Sequence, residues 1–105
     1  VQQVEYIRVI IMALQTSDFN PFDYMETQQE INTFLEECLA DDDPNTFIEA
    51  LGLLVKKHGV SDIAKATGLN RESLYKAVNG KTKPRWETIF KVMKALNFRL
   101  TTQIA

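Results

Sequence analysis

The chain has 105 residues with 12 Lys/Arg, 14 Asp/Glu and one His, a formal net charge of −2 at pH 7, and 45% hydrophobic against 25% charged residues. That fits one soluble core and excludes the disordered and collagen-like classes. A single cysteine, Cys38, excludes an internal disulfide, and no Cys/His spacing of zinc-site type accompanies it, so a cytoplasmic setting without metal or other cofactor is expected.

Residues 4–11, VEYIRVII, are rich in β-branched side chains and predict a strand. The most apolar run, VIIMAL at 9–14, is too short to span a bilayer, and the leader VQQVEYIR lacks the basic start and small-residue cleavage site of an export signal. MALQTSDF from Met12 would make a natural start, so residues 1–11 are expected to come from an upstream start codon or to lie outside the usual module. Residues 15–26, with Pro21 and the aromatics Phe19, Phe22 and Tyr24, predict an extended arm over the core. The expected organisation is an N-terminal extension and arm at 1–26 followed by one domain at 27–105.

Thr27 with Glu30 reads as a capping box, and Ile31, Phe34, Leu35, Cys38 and Leu39 form one apolar helical face. Asp43-Pro44 opens a second amphipathic helix through Phe47, Ile48, Leu51, Leu54 and Val55, closed by His58-Gly59. Ser61 is expected to cap a third helix ending at Thr67, and Asn70 a fourth ending at Asn79-Gly80. After a polar loop, Lys81 to Lys83, Pro84 is expected to open a fifth helix with Ile89, Phe90, Val92, Met93 and Leu96 on its apolar face. Residues 98–104, FRLTTQI, alternate apolar and polar and predict a second short strand. The class is therefore mainly α, five helices with possible short terminal strands. Two isolated strands are marginal in water, so pairing with each other, the core or a second chain is expected.

Charge is unevenly distributed. Residues 1–55 hold Arg8 against eleven acids, or −10, whereas residues 56–99 hold eleven Lys/Arg against Asp62, Glu72 and Glu87, or +8. The basic segment has the footprint of a nucleic-acid surface attached to an acidic module, although a lysine-rich solvated face produces the same count.

Within that segment, Ala64 suits a close helix crossing, Gly68 a turn with positive φ, and Leu69 and Leu74 anchor the next helix. This spacing over about 61–79 is a helix-turn-helix signature, a plain helical hairpin being the alternative. Its second helix would present Arg71, Glu72, Ser73, Tyr75, Lys76 and Asn79 outward. Arg71 suits guanine O6 and N7, and Glu72 suits cytosine N4. Tyr75 and Lys76 can donate to bases or phosphates, while Ser61, Lys81, Lys83 and Arg85 suit phosphates. Trp86 is expected to pack its ring on the core. Cys38 falls on an apolar stripe, and His58 sits at a helix end with no catalytic partner to be placed, so no catalytic residue is assigned.

The segment GLNRESLYKAVNGKTKPRWETIFKVMKAL resembles the helix-turn-helix of lambda-repressor-like (Xre-type) regulators. FDYMETQQEINTFLEECLADDDPNTFIEALGLLVKKHGVSDIAKATGLNRESLYKAV is similar to the antidote proteins of addiction modules, the HigA-like antitoxins, and the match covers about residues 22 to 100. The resemblance implies a DNA-binding antitoxin of a type II toxin-antitoxin module. Such a protein neutralises a RelE/HigB-type toxin, which cleaves messenger RNA, by direct binding, and represses its own operon as a homodimer on double-stranded operator DNA. Carried over, the recognition-helix positions fall on Arg71, Glu72, Tyr75 and Lys76. Residues 1–11 precede the usual start of such proteins, and Asn97 stands where a glycine commonly follows KAL, although Asn also adopts a left-handed cap. The alternatives are an orphan helix-turn-helix repressor without a toxin, and a protein-interaction module in which Glu72 marks lost DNA binding.

Overall fold

A computed structural model of the chain describes residues 19–104. The strand candidate at 4–11 and the start of the arm lie outside them. The described residues form a 3-10 turn, Pro21–Tyr24, and five α-helices: α1 Gln28–Ala40, α2 Pro44–His58, α3 Val60–Thr67, α4 Arg71–Val78 and α5 Trp86–Ala95. None of these helices is long and apolar enough to cross a membrane.

The helix ends follow from local chemistry. The Thr27 hydroxyl accepts from the Glu30 amide at 3.1 Å and lies 3.3 Å from the Glu30 carboxylate, starting α1. Asp43 caps α2 by accepting from the Asn45 amide at 2.9 Å, with Pro44 at the first helical position, where its missing N–H costs no bond. Asp41, from the same acidic run, is buried, and its carboxylate accepts from the equally buried Thr46 hydroxyl.

α2 is the central helix. It packs against the 3-10 turn, α1, α3 and α4, and it buries Phe47, Ala50, Leu51, Leu53 and Val55. A helix surrounded in this way is apolar on most of its sides. Leu51, Leu74, Val92 and Phe22 are fully enclosed, drawing the helices and the turn into one core. Phe22 meets Phe34 edge-on at 5.4 Å, and burying a phenylalanine is worth about 1.5–3 kcal/mol.

Five expectations are corrected. The described part of the arm is not extended throughout: Asn20 accepts from the Phe22 amide and donates to the Leu53 carbonyl at 2.7 Å, coiling residues 21–24 against α2. Ser61 does not cap α3. Gly59, at φ 119°, serves both as the last cap of α2 and the first of α3, so the helices join through one residue and Ser61 falls inside the first turn. Pro84 does not open α5. The Arg85 carbonyl receives the Thr88 and Ile89 amides, which makes Arg85 the cap and Trp86 the first helical residue. Trp86 is not packed into the core: it is 62% exposed and leans on the half-exposed Phe90 at 5.8 Å. Residues 98–104 form no strand, because no described strand offers them an edge to pair with.

Asn97 behaves as its chemistry allows. It adopts φ 59° after α5, while the Asn97 and Phe98 amides bond to the Lys94 and Met93 carbonyls at 3.0 and 2.8 Å. This is a Schellman closure with asparagine in the glycine position. It turns Phe98 back onto Phe47, 5.8 Å away, and fixes where the C-terminal segment departs.

Candidate nucleic-acid interface

α3 and α4 are joined by Gly68, Leu69 and Asn70, and each step of the connection is bonded. The Thr67 hydroxyl donates to the Ile63 carbonyl at 2.8 Å and accepts from the Leu69 amide at 3.3 Å. Gly68 takes φ 76°, a left-handed conformation that only a residue without Cβ adopts freely, and its amide closes α3 on the Ala64 carbonyl at 3.0 Å. Asn70 then caps α4 through a 2.7 Å bond from the Ser73 amide. Ala64 is buried, as a close crossing requires.

α4 divides cleanly. Leu74, Ala77 and Val78 are buried, while Arg71, Glu72, Ser73, Tyr75 and Lys76 are exposed. The Lys76 ammonium lies 3.4 Å from the Glu72 carboxylate one turn earlier, so the acid on this face is partly neutralised by its own helix. Asn79 is half-buried, and its side chain turns back to accept from the Lys81 amide at 2.8 Å, while Thr82 donates to the Lys76 carbonyl at 2.6 Å. These bonds fold the following loop onto the end of α4. Lys81, Lys83 and Arg85 all stand exposed on that loop and its exit. Ser61 is exposed in the first turn of α3 beside Asp62, whose charge already complements that helix end.

The fold thus brings Arg71, Glu72, Ser73, Tyr75 and Lys76 onto one short helix, α4, followed directly by three cations on the next loop and its exit. Asn79 serves the loop. Thr67 and Thr82 were not singled out from the sequence, although a hydroxyl next to a turn glycine or asparagine is a common local bond-former. The exposed Arg71, Ser73, Tyr75 and Lys76, with Lys81, Lys83 and Arg85, are of the types suited to base-edge contact and phosphate positioning.

Elsewhere the chemistry is sparse. Burial, helped by Glu37 and Asp41, pushes the Cys38 thiol up to about 12, so it offers no thiolate at neutral pH. His58 is exposed at the end of α2 beside Lys56 and Lys57. Among the described residues no group of His, Cys, Asp and Glu is arranged to hold a metal ion.

Residues 15–104 match a family model described as "Probable addiction module antidote protein". A protein of Haemophilus influenzae described as uncharacterized is 37% identical over 92 residues, which span 88% of this chain and 95% of that one. No solved structure matches.

Proposed function

Because this chain belongs to the addiction module antidote family, we propose that it is a DNA-binding antitoxin that represses its own operon and neutralises a RelE/HigB-type toxin by direct contact. The observation that carries the DNA half is the outer face of α4. Arg71, Ser73 and Tyr75 stand exposed on a helix capped at its start by Asn70 and held from behind by Leu74, Ala77 and Val78. On this reading α4 enters the major groove, Arg71 and Glu72 read base edges, and Ser61, Lys81, Lys83 and Arg85 hold phosphates.

One helix of this length contacts few bases. The protein therefore acts in the cytoplasm as a homodimer, with two α4 helices about 34 Å apart on a pseudo-palindromic operator. The exposed Trp86 and Phe90 on α5 support a self-interface, since a neighbouring aromatic pair left in water is the kind of patch that association covers. The charge division supports the toxin half: the acidic half of the chain is separate in sequence from the basic half that would face DNA.

The test is a binding titration of the purified protein with its own upstream DNA and with scrambled DNA, at two salt concentrations, for the unaltered chain and Arg71→Ala. Preference for the upstream DNA, relaxed by Arg71→Ala, is expected. Equal weak binding to both, unaffected by Arg71→Ala, would make the helix-turn-helix a scaffold.

A further inference from the structure

We propose that the groove between α1 and residues 96–101 is the surface that receives the toxin, seating an apolar segment of a positively charged protein chain; this rests on the antitoxin reading above. The groove encloses about 650 Å³, with Ile31, Leu35 and Leu39 on one wall and Leu96, Phe98 and Leu100 on the other. The Schellman closure at Asn97 ends α5, and the residues that follow it, which form no strand, line the groove together with α1.

The groove's exposed apolar walls and the charge of α1 point to a partner protein as the occupant. Leu39 is 52% and Leu100 44% exposed, one on each wall, so the apolar lining continues into solvent instead of closing on itself. Among the described helices, α1 packs mainly on α2. Charge then sets the partner's chemistry. Residues 19–55, which include α1, carry nine Asp/Glu and no Lys or Arg. Glu36 lines the groove on the α1 side, and His58 and Arg99 are the basic groups in its lining. A basic chain is attracted to the α1 side and steered into the groove. None of the groove residues belongs to the proposed DNA face.

The test uses the full chain and the purified toxin of the same module. It compares the unaltered protein with Leu39→Gln/Leu100→Gln and with Glu36→Lys, reading toxin affinity, upstream-DNA affinity, sedimentation and melting temperature. The double variant changes only exposed side chains and is expected to lose at least about tenfold in toxin affinity, with the other readouts unchanged. Glu36→Lys is expected to slow toxin association at low salt, and the difference should shrink at high salt. Unchanged toxin affinity in the double variant overturns the groove. In that case, altered sedimentation would assign the groove to a second copy, and a lowered melting temperature would assign it to this chain's own residues. Failure of the unaltered protein to bind the toxin would instead remove the antitoxin reading, and the groove assignment with it.

Discussion

Gly52 on α2 lies directly against the backbone of Val78 on α4: a Cβ added at Gly52 would come within 2.5 Å of the Val78 carbonyl oxygen and 3.4 Å of the Val78 side chain. The neighbour is backbone, so it cannot swing away as a side chain would. Gly52→Ala must push α4 off the core. A loss of about 1–3 kcal/mol is expected, as for other overpacked sites, read as a lower melting temperature. Because the displaced element is the proposed recognition helix, DNA affinity should fall further than the lost stability alone explains. Unchanged DNA affinity in the fraction that remains folded would show that α4 tolerates the shift.

The helices were legible because their ends are written in local chemistry. Thr27, Asp43 and Asn70 cap as their side chains require, and Gly68 and Asn97 take the positive φ their positions demand. What escaped depended on longer range. Nothing next to Gly52 in sequence announces Val78, and Phe22 enters the core only because α2 passes beneath the arm. Trp86 and residues 98–104 illustrate the opposite error, since aromatic character and alternation state what a segment can do without supplying the surface it would do it against. The outward set on α4 was readable from helical periodicity. The loop duty of Asn79 was not, because it depends on where the Lys81 amide turns.

Cys38 should be chemically silent in the folded protein. Its side chain is 1% exposed and its thiol is pushed up to about 12, so neither access nor ionisation favours attack. A thiol-reactive dye at pH 8 is expected to leave the native protein unlabelled over the time in which the denatured chain reacts fully. Rapid native labelling would mean that α1 opens from the core.

Glu49 should make stability depend on pH in the direction opposite to a salt-bridged acid. Its carboxyl sits above the ordinary value of 4.5, through burial first and the nearby Asp43 second. The folded state therefore holds this proton more tightly than the unfolded chain does. The resulting stabilisation is complete below the unfolded value and is lost as pH rises through the folded one. Glu49→Gln removes the ionised group and is expected to raise the melting temperature slightly at pH 7. That advantage should shrink toward zero as pH falls through 4.5. The gain is small because the carboxyl is only half-buried and water screens it. A constant difference across the range would remove Glu49 from the acid dependence.

Lys81→Ala and Lys83→Ala should weaken binding to upstream and scrambled DNA alike. Both side chains are exposed on the loop that Asn79 and Thr82 fold against α4. A contact to one phosphate contributes about 0.9 to the slope of log affinity against log salt. Each variant is therefore expected to reduce that slope by about one without changing the preference between sequences. An unchanged slope would mean that the lysine stays in solvent when DNA is bound.

Glu72 tests whether the proposed DNA face reads bases. The carboxylate repels phosphates, and it ties up Lys76 at 3.4 Å in a surface pair worth about 0.3–0.5 kcal/mol at most. Glu72→Gln should leave stability within about 0.5 kcal/mol while freeing Lys76 for the backbone. Affinity for scrambled DNA is then expected to rise. If Glu72 accepts from a cytosine N4, affinity for the upstream sequence rises less, and the ratio between the two DNAs falls. An acid is a poor residue to retain on a DNA-facing helix unless it discriminates, since its charge opposes every phosphate but its acceptor oxygens serve a particular base edge. A rise on both DNAs with an unchanged ratio would assign base discrimination on α4 to Arg71 and Tyr75, and leave Glu72 as a brake on nonspecific binding.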